Sequence, residues 1–255
     1  MTKVVFIGAG NLATQLSKRM YSKGFDILQV YSYTNQSAEK LATELGCEWT
    51  NNLNELRPDA DMYVFAVKDA VLIDTISMVE PNQGIWVHTA GSISQDVFKG
   101  CSEKYGVFYP LQTFSKERDV DFDRIPFFIE SNSQETTDYL LEQAEKLSHK
   151  VFKADSDQRK QLHLAAVFAC NFTNHMYAIS QQILQEHNLH FDAIAPLIEE
   201  TANKVQEISA RQAQTGPAVR YDQNVMNNHI DMLKDETLKD IYRLVSKNIY
   251  NYTKE

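Results

Sequence analysis

The sequence predicts an α/β fold, a doubly wound and mostly parallel sheet, followed by an all-α domain. Two observations predict it. Up to about residue 154, short β-branched and aromatic runs alternate with stretches of helical period, as in a parallel sheet joined by helical crossovers. Beyond Asp155 strand signals stop and the rest of the chain reads as helices. The expected domains are therefore 1–154, built on the sheet, and 155–255, all helical.

The chain opens with Val4, Val5, Phe6 and Ile7, an unbroken apolar run expected of a central strand covered on both faces. Leu12, Leu16 and Met20 then recur every fourth residue, so one stripe of a following helix packs on the sheet. Between them lies Gly8-x-Gly10-x-x-Ala13. Gly8 allows the tight turn, Gly10 lets backbone approach a pyrophosphate, and Ala13 lets helix and strand come close. The amides that begin the helix, at Asn11, Leu12 and Ala13, then face the anion. This is a Rossmann-like dinucleotide-binding unit; the alternative is a tight strand-to-helix turn that binds nothing.

Residues 26–32 read as the second strand. NAD sites place an acid at the end of this strand, about 20 residues beyond the glycines, to hold the ribose 2′-hydroxyl. Here that stretch is Ser32-Tyr33-Thr34-Asn35, and Asp26 sits at the opposite end of the strand. A 2′-phosphate meets no repulsion there, and Ser32, Thr34 and Asn35 offer donors, with Lys40 adding charge. NADP is favoured over NAD, although no arginine is present and an Asx-type turn leading into a helix over 36–45 uses the same residues.

Strands follow over 48–50, 61–67 and 84–89, with a turn rich in asparagine and residues 53–56 after the first of them. Ligands of open α/β sheets lie outside the carboxyl ends of the strands, which puts Ala66, Val67 and Lys68, then Thr89, Ala90 and Gly91, against the cofactor. His88 falls near the substrate by the same argument, or is a satisfied structural histidine. A helix over 95–104, a strand over 106–109 and the segment Pro110-Leu-Gln112-Thr113-Phe-Ser115 come next, the last offering Pro110, Gln112 and Thr113 to a substrate. Strands over 126–130 and 150–153 flank a helix over 134–147.

Helices are expected over 156–188, 192–214, 222–234 and 236–252, with Pro196 in a first turn and Gly216-Pro217 as a break. On the first of them His163, Val167, Asn171, Asn174 and Ala178 share a stripe, while Leu162, Ala165, Ala166, Phe168 and Ala169 cover other faces. Such a helix is expected to be nearly all buried, so Asn171, Asn174 and His175 need partners, either a substrate or backbone carbonyls.

Composition narrows the function. A net charge of −9 with no basic patch argues against nucleic acid, and no apolar run is long enough to cross a bilayer. The N-terminus enters a strand directly, without a signal segment, so a cytoplasmic protein with small-molecule ligands is expected. Cys47, Cys101 and Cys170 form no Cys-x-x-Cys pair, so neither a disulfide framework nor a metal site is indicated.

Taken together, Val5-Phe-Ile-Gly-Ala-Gly-Asn-Leu-Ala13, Ala66-Val-Lys68, His88-Thr-Ala-Gly-Ser92 and the helical second half resemble the superfamily of pyrroline-5-carboxylate reductase and deazaflavin-dependent NADP oxidoreductase. The segments 109–115, 157–175 and 214–220 resemble a branch of NADP oxidoreductases with a Rossmann-like and a helical domain. The resemblance implies a nicotinamide site at the strand ends, a helical domain that dimerises and a substrate cleft between the domains. It names no substrate. Related hydroxyacid dehydrogenases place a catalytic lysine on the first helix of the second domain, whereas residues 161–185 contain none. That leaves reduction of an imine, a ketone or another redox carrier, with His163, Asn171, Asn174 and His175 as catalytic candidates. The competing readings are a non-catalytic dinucleotide-binding protein read by a partner, and a transferase or isomerase on the same fold.

Overall fold

A computed structural model describes residues 1–254. Among them eight strands form one sheet: β1 (Lys3–Ile7), β2 (Asp26–Tyr31), β3 (Glu48–Thr50), β4 (Met62–Phe65), β5 (Ile85–His88), β6 (Tyr105–Pro110), β7 (Phe127–Ser131) and β8 (Val151–Lys153). Their order is 3-2-1-4-5-6-7-8, so the order reverses beside β1, the switch point at which doubly wound sheets bind ligands. β1 to β6 run parallel, and β7 and β8 run against them. The carboxyl ends of six strands therefore share one edge.

The helices α1 (Asn11–Ser22), α2 (Asn35–Leu45), α3 (Asp69–Ser77) and α4 (Gln134–Glu145) cover the faces. Along β1 the side chains alternate between two cores. Val4 and Phe6 pack with Leu16 and Met20 of α1, whereas Val5 and Ile7 pack with Phe65, Leu72 of α3 and Trp86. Burial on both faces is why this strand lacks polar alternation.

One element is missing from the sequence pattern and one expectation changes. α3 escapes the pattern because only Leu72 and Ile76 are buried, while Val71 and Ile73 face water and blur the stripe. The helix expected over 95–104 is a single 3₁₀ turn, Gln95–Phe98, because Gly100 follows with φ +86°. An αL glycine so soon after the turn ends it.

The chain divides into two compact units, Met1–Asn174 and His175–Glu255, later than the change in composition at residue 154. The first unit thus carries α5 (Ser156–Ala166) and the π-helical segment Val167–Phe172. Then follow α6 (Thr173–Glu186), α7 (Ala195–Glu207), α8 (Ala210–Ala213), α9 (Pro217–Arg220), α10 (Gln223–Met232) and α11 (Glu236–Lys254). Pro196 lies in the first turn of α7 as expected, but the helix expected over 192–214 is interrupted. Ser209 and Gln212 form a capping box that starts α8 afresh after extended Ile208.

Two buried polar groups tie α5 and the loop after β5 to the sheet. Arg159 of α5 is fully buried and forms an ion pair with Glu130 of β7, donates to the Ile93 carbonyl, and lies 3.3 Å from Ser156 Oγ. Glu130 also accepts from the Ser156 amide at 3.0 Å and from Gln95 Nε2 at 3.2 Å. Glu130→Ala leaves that guanidinium buried without its counter-charge, and a loss of about 3–5 kcal/mol is expected in chemical unfolding. A loss below 1 kcal/mol in the same measurement would show that water reaches the guanidinium.

His88, at the end of β5, is fully buried, accepts the Ala90 amide at Nδ1 over 3.1 Å and lies 3.3 Å from the Ser94 carbonyl through Nε2. Burial, with help from the positive charge of Arg159, pushes its pKa from 6.5 down to about 3. Between those values the unfolded chain binds the extra proton, so the contribution is full above about pH 6.5 and is lost as pH falls toward 3. Urea unfolding at pH 7.5 and pH 5 should therefore show His88→Gln losing roughly 2 kcal/mol less than the wild type over that interval. Equal losses would mean that His88 is protonated in the fold.

Candidate functional site

The site is assembled on the sheet edge where β1, β4, β5 and β6 end. Gly8 follows β1 with φ +123°, and a Cβ there would lie 2.3 Å from the Ala66 carbonyl oxygen at the end of β4. Only glycine permits that approach. Gly10 is different: its φ is −77° and nothing lies within 4 Å of a Cβ built on it. It caps α1 without a side-chain hydrogen bond, no acid occupies the first turn, and the amides of Asn11, Leu12 and Ala13 meet no acceptor among the described residues. An open, uncapped helix start with free N–H groups and space in front of it fits a pyrophosphate.

A second segment borders this helix. The Asn11 side chain donates to the Phe114 carbonyl at 3.0 Å, and Gln15, buried in α1, donates to the carbonyls of Ser115, Lys116 and Arg118 at 2.8–3.1 Å. The loop after β6 is thereby fastened to α1. Within it Gln112 and Thr113 are exposed, Gln112 Oε1 accepting from the Thr113 amide at 2.8 Å, whereas Pro110 is buried at the strand end.

At the end of β2, Tyr33 is 89 % exposed. The Thr34 hydroxyl donates to Ser37 Oγ at 2.9 Å and does not cap α2, and the side chains of Ser32 and Asn35 make no hydrogen bond among the described residues. No acid stands in this segment, and Lys40 forms no ion pair with the described residues. The donors fit a 2′-phosphate.

Beyond β4, Ala66 is buried, Val67 is partly covered and Lys68 is exposed at the start of α3. Ser92 Oγ donates to Asp69 at 2.7 Å, which joins the loops that follow β4 and β5. Thr89 and Gly91 are buried and Ala90 is partly covered. His88 points away from this surface and supports the loop from below.

Tyr109 and His163, 54 residues apart, meet here. The Tyr109 hydroxyl lies 3.1 Å from His163 Nδ1, and the rings contact edge to face with centroids 6.3 Å apart. A Cβ on Gly91 would come within 2.7 Å of His163 Nδ1 and 2.8 Å of the Tyr109 hydroxyl, so the loop after β5 rests on both. Tyr109 is 7 % exposed, and burial pushes its hydroxyl pKa up to about 12. His163 is partly exposed.

The remaining helix candidates are not gathered as the stripe suggested. Val167–Phe172 is π-helical, with Thr173 Oγ1 donating to the Phe168 carbonyl five residues back at 3.2 Å. A π turn holds an extra residue, so positions from Asn171 onward are rotated out of line with His163. Nor is the helix buried: Asn171, Asn174 and His175 are exposed and make no side-chain hydrogen bond among the described residues, and Phe168 is 62 % exposed.

Arg159, Gln15 and Tyr109 escape a reading of the sequence. A charged residue in a helix reads as solvated, and nothing local marks Tyr109 as the partner of a histidine on another element. The one available signal was the long polar and aromatic motif that carries Tyr109.

A family model described as "NADP oxidoreductase coenzyme F420-dependent" matches residues 3–88, and one described as a domain of unknown function, DUF2520, matches residues 125–249. No curated protein matches the chain. Among solved structures, a "putative NADP oxidoreductase" from Bacteroides fragilis is 50 % identical, with 98 % of each chain covered and a TM-score of 0.93. A protein from Thermotoga maritima is 21 % identical, with 97 % of this chain and 99 % of that chain covered and a TM-score of 0.79. An imine reductase from Myxococcus stipitatus in complex with NADP+ is 14 % identical, covering 99 % and 93 %, with a TM-score of 0.67. The last two likenesses are of fold. The first, with the family model over residues 3–88, assigns the chain to its family: it belongs to the NADP oxidoreductases.

Proposed function

We propose that the chain is an NADP(H)-dependent reductase that transfers hydride to a small substrate with a C=N or C=O group at the carboxyl ends of β1, β4, β5 and β6. The observation that carries this reading is the uncapped start of α1 behind Gly8 and Gly10. The amides of Asn11, Leu12 and Ala13 hold the pyrophosphate there, and Ser32, Thr34 and Asn35 receive the 2′-phosphate, with Tyr33 beside the adenosine. Ala66, Val67, Lys68, Thr89, Ala90 and Gly91 border the nicotinamide. NADPH supplies the hydride; the protein's part is to orient the acceptor, exclude water and furnish a proton.

His163 stands at this edge, and Gln112 and Thr113 lie on the loop fastened over α1. Asn171 and Asn174 follow on the helical run, exposed and with no side-chain partner among the described residues, and are kept as candidates for a polar group of the substrate.

We further propose a homodimer made mainly through helical surfaces. In the first unit Leu164, Phe168 and Phe172 are exposed, and in the second so are Leu197, Val205, Met232 and Leu244. Apolar surface on this scale marks an interface, and a second copy of the chain presents the same faces in reverse.

Gly10→Val tests the cofactor site without disturbing the fold, since its φ is ordinary and its Cβ direction is open. NADPH affinity by nicotinamide fluorescence should fall at least about tenfold, or ~1.4 kcal/mol, with an unchanged melting curve. Equal affinities would remove the assignment. Ser32→Asp should shift the NADPH to NADH preference by about tenfold toward NADH through charge repulsion, and an unchanged ratio would displace Ser32 from the ribose. For the assembly, light scattering at micromolar concentration should give twice the chain mass, and Leu197→Glu should lower it. A wild-type monomer overturns the dimer.

A further inference from the structure

Tyr109 and His163 form a graded pair: a buried phenol on β6 and a partly exposed imidazole on α5, joined at 3.1 Å and held under the Gly91 backbone. Nothing else bonds to the phenol, whose hydroxyl has no second partner among the described residues. Arg159, one helical turn before His163, is committed to Glu130 and the Ile93 carbonyl, so it anchors the helix and leaves the phenol to the imidazole. The pair sits on the edge where β5 and β6 end, the same edge as the start of α1.

We propose that Tyr109 is the proton donor to a carbonyl oxygen of the substrate, that His163 relays a proton to Tyr109 from solvent, and that the substrates are therefore aldehydes or ketones. This rests on the NADP(H)-reductase reading above. Hydride addition to a carbonyl carbon breaks the C–O π bond and leaves an alkoxide, a base strong enough to take the proton of a buried phenol. Tyr109 then takes the Nδ1 proton of His163 while Nε2 takes one from water, and proton exchange with solvent returns the imidazole to its Nδ1–H tautomer before the next turnover. The net change is one hydride and one proton added to the substrate, with NADPH oxidised to NADP⁺. A basic imine nitrogen is different in kind: it equilibrates with solvent protons to the iminium form before hydride arrives, so its reduction leaves an amine and no alkoxide for a buried phenol to neutralise.

The geometry requires a particular starting state. Nδ1 of His163 must carry the proton and donate to the phenol oxygen, which leaves the phenol O–H free to point at the substrate. Nitrogen-15 spectra of histidine-labelled protein at pH 7.5, assigned by loss of the signal in His163→Gln, should show the Nδ1–H tautomer. In Tyr109→Phe that preference should be lost. The Nε2–H tautomer in the wild type would mean that the phenol donates to His163, and the relay would be overturned.

Turnover with NADPH on a panel of small aldehydes, ketones and cyclic imines supplies the second arm. At least one carbonyl compound should be reduced, with Tyr109→Phe slower by about 10²–10⁴-fold in kcat and little changed in KM or melting temperature. His163→Gln should fall less, because water can replace a relay. Reduction of imines alone, of nothing in the panel, or undiminished kcat in Tyr109→Phe overturns the proposal. Fluorescence titration of the wild type with NADPH separates the two levels. Absence of binding removes the nicotinamide reading and the proposal with it, whereas binding with any of the failures above removes the proposal alone.

Discussion

The joint between α5, β7 and the loop after β5 depends on one buried guanidinium. Arg159 has no exposure to water, and desolvating such a charge is favourable only where counter-charge and hydrogen bonds replace the lost solvent. Glu130 and the Ile93 carbonyl provide them, and they belong to a strand and to the loop after β5, while Arg159 belongs to α5. Three segments far apart in sequence are thereby fixed to one group. His163, four residues on, inherits its place from that anchor, and His88 is kept neutral partly by the same charge.

A backbone constraint operates at the other end of the edge. Gly8 passes so near the Ala66 carbonyl that no side chain fits, and the turn is held further by the Gly8 amide donating to the Tyr31 carbonyl at 2.8 Å. The first turn of α1 is consequently aimed before any ligand arrives, and its free amides need no reorganisation to meet an anion. Asn11 and Gln15 extend the same rigidity to the loop after β6. An amide side chain serving three carbonyls is an economical way to hold a segment that lacks secondary structure of its own.

Much of this architecture was legible in the sequence, because β1, β4 and β5 are buried on both faces and so appear as unbroken apolar runs. The glycine turn was legible for a related reason: its residues answer to local backbone geometry. What could not be read depends on contacts between distant elements. Tyr109 acquires its neighbour across 54 residues, and Arg159 looks like any helical arginine until three segments converge on it. His88 shows the opposite difficulty. A histidine at a strand end has the right address for a ligand, and only the tertiary environment reveals that its ring faces inward.

The π-helical run Val167–Phe172 alters how the chain may be edited. An α-helix advances about 100° per residue, and a π turn accommodates roughly one residue more than that schedule allows. The helical run from Ser156 to Glu186 therefore behaves as two phases of one screw with a surplus residue stored at the seam. Removing one residue from the seam is the kind of change that regular hydrogen bonding would absorb, and it would leave Asn174 facing as it does now. Amino-acid spacing across 167–172 thus carries information that side-chain identity does not, and an alignment that closes a gap there joins residues of different faces.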